Sequence, residues 1–182
     1  MDCKISVTTN CNARCKTCPV WMCAGEDMSL SDFIQIWGTV MMEARVNRVL
    51  LNNTGDMYVH PQRAEIWSVI EAQLYKPTIV TTNAAAMDYV PAVSEFIISF
   101  NGHDKESYEH TTGLDFEDVQ ARIRSFYPDL EEKTKAEIHC LIWGETYVPD
   151  AEKKVRDLWS EFPGRVRVSY KTENQQQDIL AA

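Results

Sequence analysis

Hydrophobic positions along this chain recur in two periods. Six short runs rich in Val, Ile and Thr, at Lys4–Thr9, Asn47–Leu51, Thr78–Thr82, Glu95–Phe100, Glu137–Trp143 and Arg165–Tyr170, have the length and composition of β-strands. The segments between them carry the helical period. From Ser29 to Ala44, the residues Phe33, Ile36, Trp37, Val40, Met41 and Ala44 fall on one stripe, and Ser29 with Asp32 has the pattern of a capping box. Pro61 suits the first turn of a helix running to about Tyr75, with Ile66, Val69, Ile70 and Leu74 turned inward. The pattern predicts a short helical piece over Asp88–Val93 and clearer helices over Asp115–Tyr127 and Asp150–Phe162. The last has Val155, Leu158, Trp159 and Phe162 in register. Strand and helix thus alternate about six times, which predicts a single α/β domain with a parallel sheet and right-handed crossovers. The folded unit is expected over residues 1–172, with 173–182 as a polar C-terminal tail.

Composition narrows the class without altering that picture. A length of 182 residues allows one domain with a substantial core, and shares of 45% hydrophobic and 25% charged residues are those of a folded chain. A formal net charge of −9 disfavours direct binding to nucleic acid, whose phosphates it repels. No apolar run approaches membrane-spanning length, and the first residues read as a strand rather than a signal peptide, so a cytoplasmic location is expected.

The cysteines change the picture most. Five of the six, Cys3, Cys11, Cys15, Cys18 and Cys23, crowd the N-terminal region, and Cys140 lies apart. Dispersed cysteines staple small secreted folds, whereas clusters at short intervals point to a metal. The spacing alone leaves two alternatives open. One is a zinc site completed by Cys23; the other is a redox pair of Cys15 and Cys18 that leaves Cys11 unexplained. Cys140 alternates with Ile138 and Ile142 inside a strand and reads as core packing, as do Met41 and Met42.

The polar residues fall in a telling place. After the successive strands come Asn10–Cys18, then Thr54-Gly55-Asp56, then Asn83, then Asn101-Gly102, then Gly144-Glu145. All follow the carboxyl ends of their strands, the edge where parallel barrels and open α/β sheets bind ligands. The cysteine cluster therefore shares a rim with a carboxylate, two amides and several glycines. Trp143, Glu145, Tyr58, Trp21 and His103 are weaker candidates for substrate contact, and His60 reads as a helix cap rather than a general base.

Cys11-Asn12-Ala13-Arg14-Cys15-Lys16-Thr17-Cys18-Pro19 resembles the CxxxCxxC signature of the radical S-adenosylmethionine (SAM) enzymes. Gly55-Asp56-Met57-Tyr58-Val59-His60-Pro61 is similar to that family's GEPLLHP stretch, and Thr82-Asn83 to its TNG. Ser99-Phe100-Asn101-Gly102, followed by Tyr108 to Gly113, is similar to its SLDG…YxxITG pattern. The likeness spans about residues 4–125 and looks closest to the branch of the SPASM enzymes and the molybdenum-cofactor cyclases. Only Cys140 follows Cys23, which leaves no ligand set in this sequence for a SPASM-type auxiliary cluster. Asp56 stands where the family usually has Glu, Thr17 where an aromatic is frequent, Asn101 for Asp and Ala84 for Gly.

The resemblance implies a partial (β/α)6 barrel in which Cys11, Cys15 and Cys18 hold a 4Fe–4S cluster, leaving one iron for SAM to chelate. It implies SAM contacts at Gly55, Asp56, Asn83, Ser99 and Asn101. The implied activity is reductive cleavage of SAM to a 5′-deoxyadenosyl radical that abstracts hydrogen from a substrate. Such an enzyme is oxygen-sensitive and draws its electron from a flavodoxin- or ferredoxin-like donor. An arc open at the side suggests a peptide or protein substrate, or a partner that completes the site. A glycyl-radical-enzyme activase, and a non-catalytic iron–sulfur or zinc protein on a degenerate barrel, are the alternatives.

Overall fold

Six strands form one sheet in sequential order, every neighbouring pair parallel: β1 (Asp2–Ile5), β2 (Arg48–Leu51), β3 (Thr78–Thr82), β4 (Glu95–Ser99), β5 (Lys135–Trp143) and β6 (Arg165–Lys171). This is a computed structural model, and it describes residues 1–52 and 54–171; the tail expected over 173–182 lies outside them. An order without reversal puts every right-handed crossover on the same side of the sheet, so the sheet curls into an arc with its helices outside. Among the described residues β1 and β6 do not pair, and the barrel stays open between them.

The helices are α1 (Leu30–Met42), α2 (Arg63–Ala72), α3 (Lys105–Thr112), α4 (Phe116–Ser125), α5 (Tyr127–Lys133) and α6 (Ala151–Leu158). Phe33, Trp37 and Met41 of α1, Ile66, Trp67 and Ile70 of α2, and Val155 of α6 are buried against the sheet's outer face. There they meet residues such as Leu51, Val80, Phe96, Ile98, Ile138, Cys140 and Ile142. Among the described residues no helix is long and apolar enough to cross a membrane.

Several expectations need correction. β1 ends at Ile5; Thr8 instead makes an antiparallel bridge with Asp27 as the chain turns into the cysteine loop. The α1 stripe is narrower than its period suggested, because Ile36 is 38% exposed, Ala44 is exposed and Met42 is 79% exposed. Only Met41 of the methionine pair fills the core. The Ser29 hydroxyl accepts from the Asp32 N–H at 3.1 Å but donates to the Asp32 carboxylate at 2.7 Å, so the reciprocal half of a capping box is absent. α2 starts at Arg63, leaving Pro61 in the turn before it.

No helix forms over Asp88–Val93. Pro91 disfavours helical backbone at Val90, and neighbouring side chains satisfy the extended path: the Tyr58 hydroxyl donates to the Tyr89 carbonyl, and the Ala92 N–H donates to Glu71 at 2.8 Å. Conversely, α3 carries little apolar periodicity and is set by its ends. Asp104 accepts from the Ser107 N–H at 3.0 Å, the Ser107 hydroxyl accepts from the Asp104 N–H at 3.1 Å, and Gly113 closes the C-terminus with φ +69°.

Candidate functional site

The cysteine loop leaves the carboxyl edge of the sheet and is fastened on three sides. At its start, the Asp56 N–H donates to the Asn10 carbonyl at 2.8 Å. In its middle, the Arg14 N–H donates to the Thr112 carbonyl at 2.7 Å and the Lys16 N–H to the Thr111 carbonyl at 2.9 Å. These carbonyls belong to the last turn of α3, where a helix leaves acceptors without intrahelical donors. Beyond, the Trp21 indole N–H donates to the Cys15 carbonyl at 3.0 Å, and the Arg14 guanidinium lies 5.6 Å from the Trp21 ring centre. The stretch from Tyr108 to Gly113, read in the sequence only as a motif, is thus the cradle on which the loop rests.

The loop and the strand tips enclose a cavity of about 180 Å³. All eight residues named from the sequence line it: Cys11, Cys15 and Cys18 on the loop, and Gly55, Asp56, Asn83, Ser99 and Asn101 at the strand ends. Cys23 is exposed and is not among its walls, Cys3 is half-buried elsewhere, and Cys140 is buried in the core with its thiol donating to the Gly102 carbonyl.

Burial pushes the Cys11 thiol up, with the charges of Asp56 and Cys18 adding, while hydrogen bonds from the Ala13 N–H and the Asn83 amide pull the other way. The Cys15 thiol is pushed up to about 12, by burial first and then by Cys11 and Cys18. A cationic metal group beside Cys11 and Cys15 would stabilise them as thiolates. Among the described residues, the only three ligand atoms of His, Cys, Asp or Glu all within 4.8 Å of one another belong to Glu109, Asp115 and Glu117.

Asp56 is 1% exposed, and its oxygens accept from the Tyr58 N–H at 3.0 Å, the Thr82 hydroxyl at 2.9 Å and the Asn83 N–H at 2.8 Å. It joins the tip of β2 to the tip of β3. The Asn101 amide oxygen accepts from the Leu141 N–H at 3.0 Å and so joins β4 to β5. Asn83 presents its amide to the loop, donating to Asn12 Oδ1 at 2.7 Å and to Cys11 Sγ at 3.6 Å. The next residue, Ala84, is buried at φ +63°, the left-handed conformation that glycine adopts freely.

Of the weaker candidates, Trp21 lines the cavity. Trp143 is packed, its indole N–H on the Thr111 hydroxyl at 3.3 Å, and Glu145 is exposed and paired with His110 at 3.1 Å. Tyr58 is buried, and His103 lines a separate cleft beside Asp104. His60 is buried with Nδ1 accepting from the Gln62 N–H and Nε2 donating to the Met28 carbonyl, both at 3.0 Å, so neither nitrogen is available as a base. Sequence reasoning missed Asn52, a cavity residue at φ 57° whose Nδ2 is buried without a hydrogen-bond partner among the described residues. Its position directly after a strand was the signal. It also missed Thr81 and Thr112, whereas Thr54 already lay on the predicted rim.

No family model matches the chain, and no curated protein matches it by sequence. Solved structures do match. SuiB of Streptococcus suis bound to S-adenosylmethionine superposes with a TM-score of 0.75 at 16% identity, over 94% of this chain and 41% of SuiB. Native anSMEcpe with bound AdoMet and Cp18Cys peptide gives 0.67 at 17% identity, over 92% of this chain and 51% of that one. A radical SAM methyltransferase from Sphaerobacter thermophilus gives 0.59 at 10% identity, over 92% and 65%. The chain spans about two fifths of the length of SuiB. At these identities the likeness is one of fold: the chain has the open, six-stranded partial barrel of radical SAM enzymes, with a cysteine-lined cavity on its carboxyl rim.

Proposed function

We propose that residues 1–172 form the catalytic barrel of a radical SAM enzyme, with Cys11, Cys15 and Cys18 as the ligands of a 4Fe–4S cluster. One observation carries this reading: the three thiols of the CxxxCxxC run converge on the cavity that the strand tips also line. When bound, the cluster and SAM supply reductive sulfonium cleavage and hydrogen abstraction. The chain's own residues hold and orient. Thr111 and Thr112 carry the loop on the end of α3, and Trp21 and Arg14 brace it further along. Gly55, Ser99 and Asn101 are our candidates for SAM contact. Asp56, with its oxygens committed internally, serves by holding the rim together.

The cyclase and SPASM branch remains the best match of motif pattern. A peptide or protein substrate is favoured, and two of the solved likenesses support it, SuiB bound to precursor peptide SuiA and anSMEcpe with Cp18Cys peptide. A flavodoxin- or ferredoxin-like protein would donate the electron. Anaerobic reconstitution followed by metal and sulfide analysis, with a strong reductant and SAM, tests the reading. Iron and sulfide in equal amounts with 5′-deoxyadenosine as product are expected. Zinc without sulfide, or a cluster that leaves SAM intact, overturns it.

A further inference from the structure

Asn83 is held in one orientation by four hydrogen bonds from separate directions. Its backbone N–H donates to the buried Asp56 carboxylate at 2.8 Å, which anchors the residue to the β2 tip. Its side-chain oxygen accepts from the Ala85 N–H at 2.8 Å, within the turn whose Ala84 N–H is tied to the Thr82 hydroxyl at 3.0 Å. The Ala85 bond settles which end of the amide is oxygen, because a flipped amide would set donor against donor. The NH₂ end therefore faces the cysteine loop. Its nitrogen donates to Asn12 Oδ1 at 2.7 Å and is directed at Cys11 Sγ at 3.6 Å.

We propose that Asn83 is a positioning residue for the iron–sulfur cluster, donating an N–H···S bond to Cys11 that raises the cluster's reduction potential, rather than a SAM ligand. This rests on the proposed function, since it takes Cys11 as a cluster ligand. The physical reason is general. Reduction adds negative charge that spreads onto the sulfurs, and a donor aimed at one of them stabilises the reduced form more than the oxidised. The NH₂ group is turned to the cysteine loop, in contact with both Asn12 and Cys11.

The test uses the full chain, reconstituted anaerobically, as wild type, Asn83→Leu and Asn83→Asp. Leu keeps the branched shape and removes both hydrogens. Asp keeps the acceptor for the Ala85 N–H and replaces the donor with an oxygen. The readouts are the midpoint potential from a redox titration followed by electron paramagnetic resonance, and the exchangeable-proton coupling of the reduced cluster in H₂O against D₂O. We expect both variants to retain iron and sulfide and to lose one exchangeable coupling. Their reduction equilibrium should fall roughly two- to tenfold, the range of one hydrogen bond; tenfold corresponds to about 59 mV for one electron. If Leu prevents folding, the exchangeable coupling of the Asp variant decides, because its added charge lowers the potential by itself. A wild-type potential and unchanged coupling in the variants overturn the assignment of Asn83 while leaving the proposed function standing. Failure of the wild type to form any iron–sulfur cluster overturns the proposed function itself.

Discussion

Gly55 lies so close to the carbonyl oxygen of Thr8 that a Cβ on it would stand 2.3 Å away, and 2.7 Å from the carbonyl of Asn10. Its φ of +70° adds a second demand for glycine. This contact locks the tip of β2 onto the start of the cysteine loop. Gly55→Ala should therefore destabilise the chain by about 1–3 kcal/mol from backbone strain alone, with the clash against backbone atoms on top. Denaturant unfolding measures the first effect, and iron content after reconstitution measures displacement of the loop.

Burial pushes the Asp56 carboxyl above its ordinary value of 3.8, against the downward pull of its bonds from Asn83, Tyr58 and Thr82. A carboxyl with a raised folded pKa holds its proton more tightly in the folded chain than in the unfolded one. Stability should then decline as pH rises from the unfolded value through the raised folded value, and level off above it. Asp56→Asn should abolish this component of the decline. It should also lower stability by about 1–3 kcal/mol, because its amide nitrogen cannot accept from the Asn83 N–H. Unfolding of the metal-free chain between about pH 4 and about pH 8 checks both points.

Cys11, Cys15 and Cys18 line the cavity, whereas Cys23 does not. Cys11→Ser, Cys15→Ser and Cys18→Ser should each abolish bound iron and sulfide after reconstitution, and Cys23→Ser should leave both unchanged. Retained iron in any of the first three, or its loss in the fourth, would redraw the ligand set.

Phe100 is fully buried, with its ring centre 4.1 Å from that of Tyr108 and 4.8 Å from that of Trp159. It is the packing partner of α3, whose last carbonyls hold the cysteine loop. Phe100→Ala should lower stability by about 3–5 kcal/mol. It should also weaken cluster retention although Phe100 lies outside the cavity, a coupling that iron-release kinetics would detect.

The strands from β2 onward were legible to within a residue or two, because buried parallel strands require runs of β-branched residues whatever surrounds them. The inward positions Ile66 and Ile70 of α2 and Val155 of α6 were legible for the same local reason, although α6 ends at Leu158, before Trp159 and Phe162. α3 was not, since its capping and its packing against Phe100 stabilise it where its own periodicity does not. Asp88–Val93 failed in the opposite direction: its composition tolerates a helix, but Pro91 and the side chains of Tyr58 and Glu71 hold it extended.

The eight candidate residues could be named from sequence because the motif resemblance pointed to them, and the parallel topology carries strand ends and the loops after them to one rim. Their roles could not be read that way. That Asp56 is a buried staple, that Asn83 turns its amide to Cys11, and that Thr111 and Thr112 carry the cysteine loop depend on contacts between residues 26 to 98 positions apart. By itself the sequence determined the alternation of strand and helix and the short-range spacing of the cysteines, both local properties of the chain. The curl of the sheet, the openness of the barrel and the partner of each polar group were decided by tertiary structure. Each depends on which distant donor or acceptor packing brings within hydrogen-bond reach.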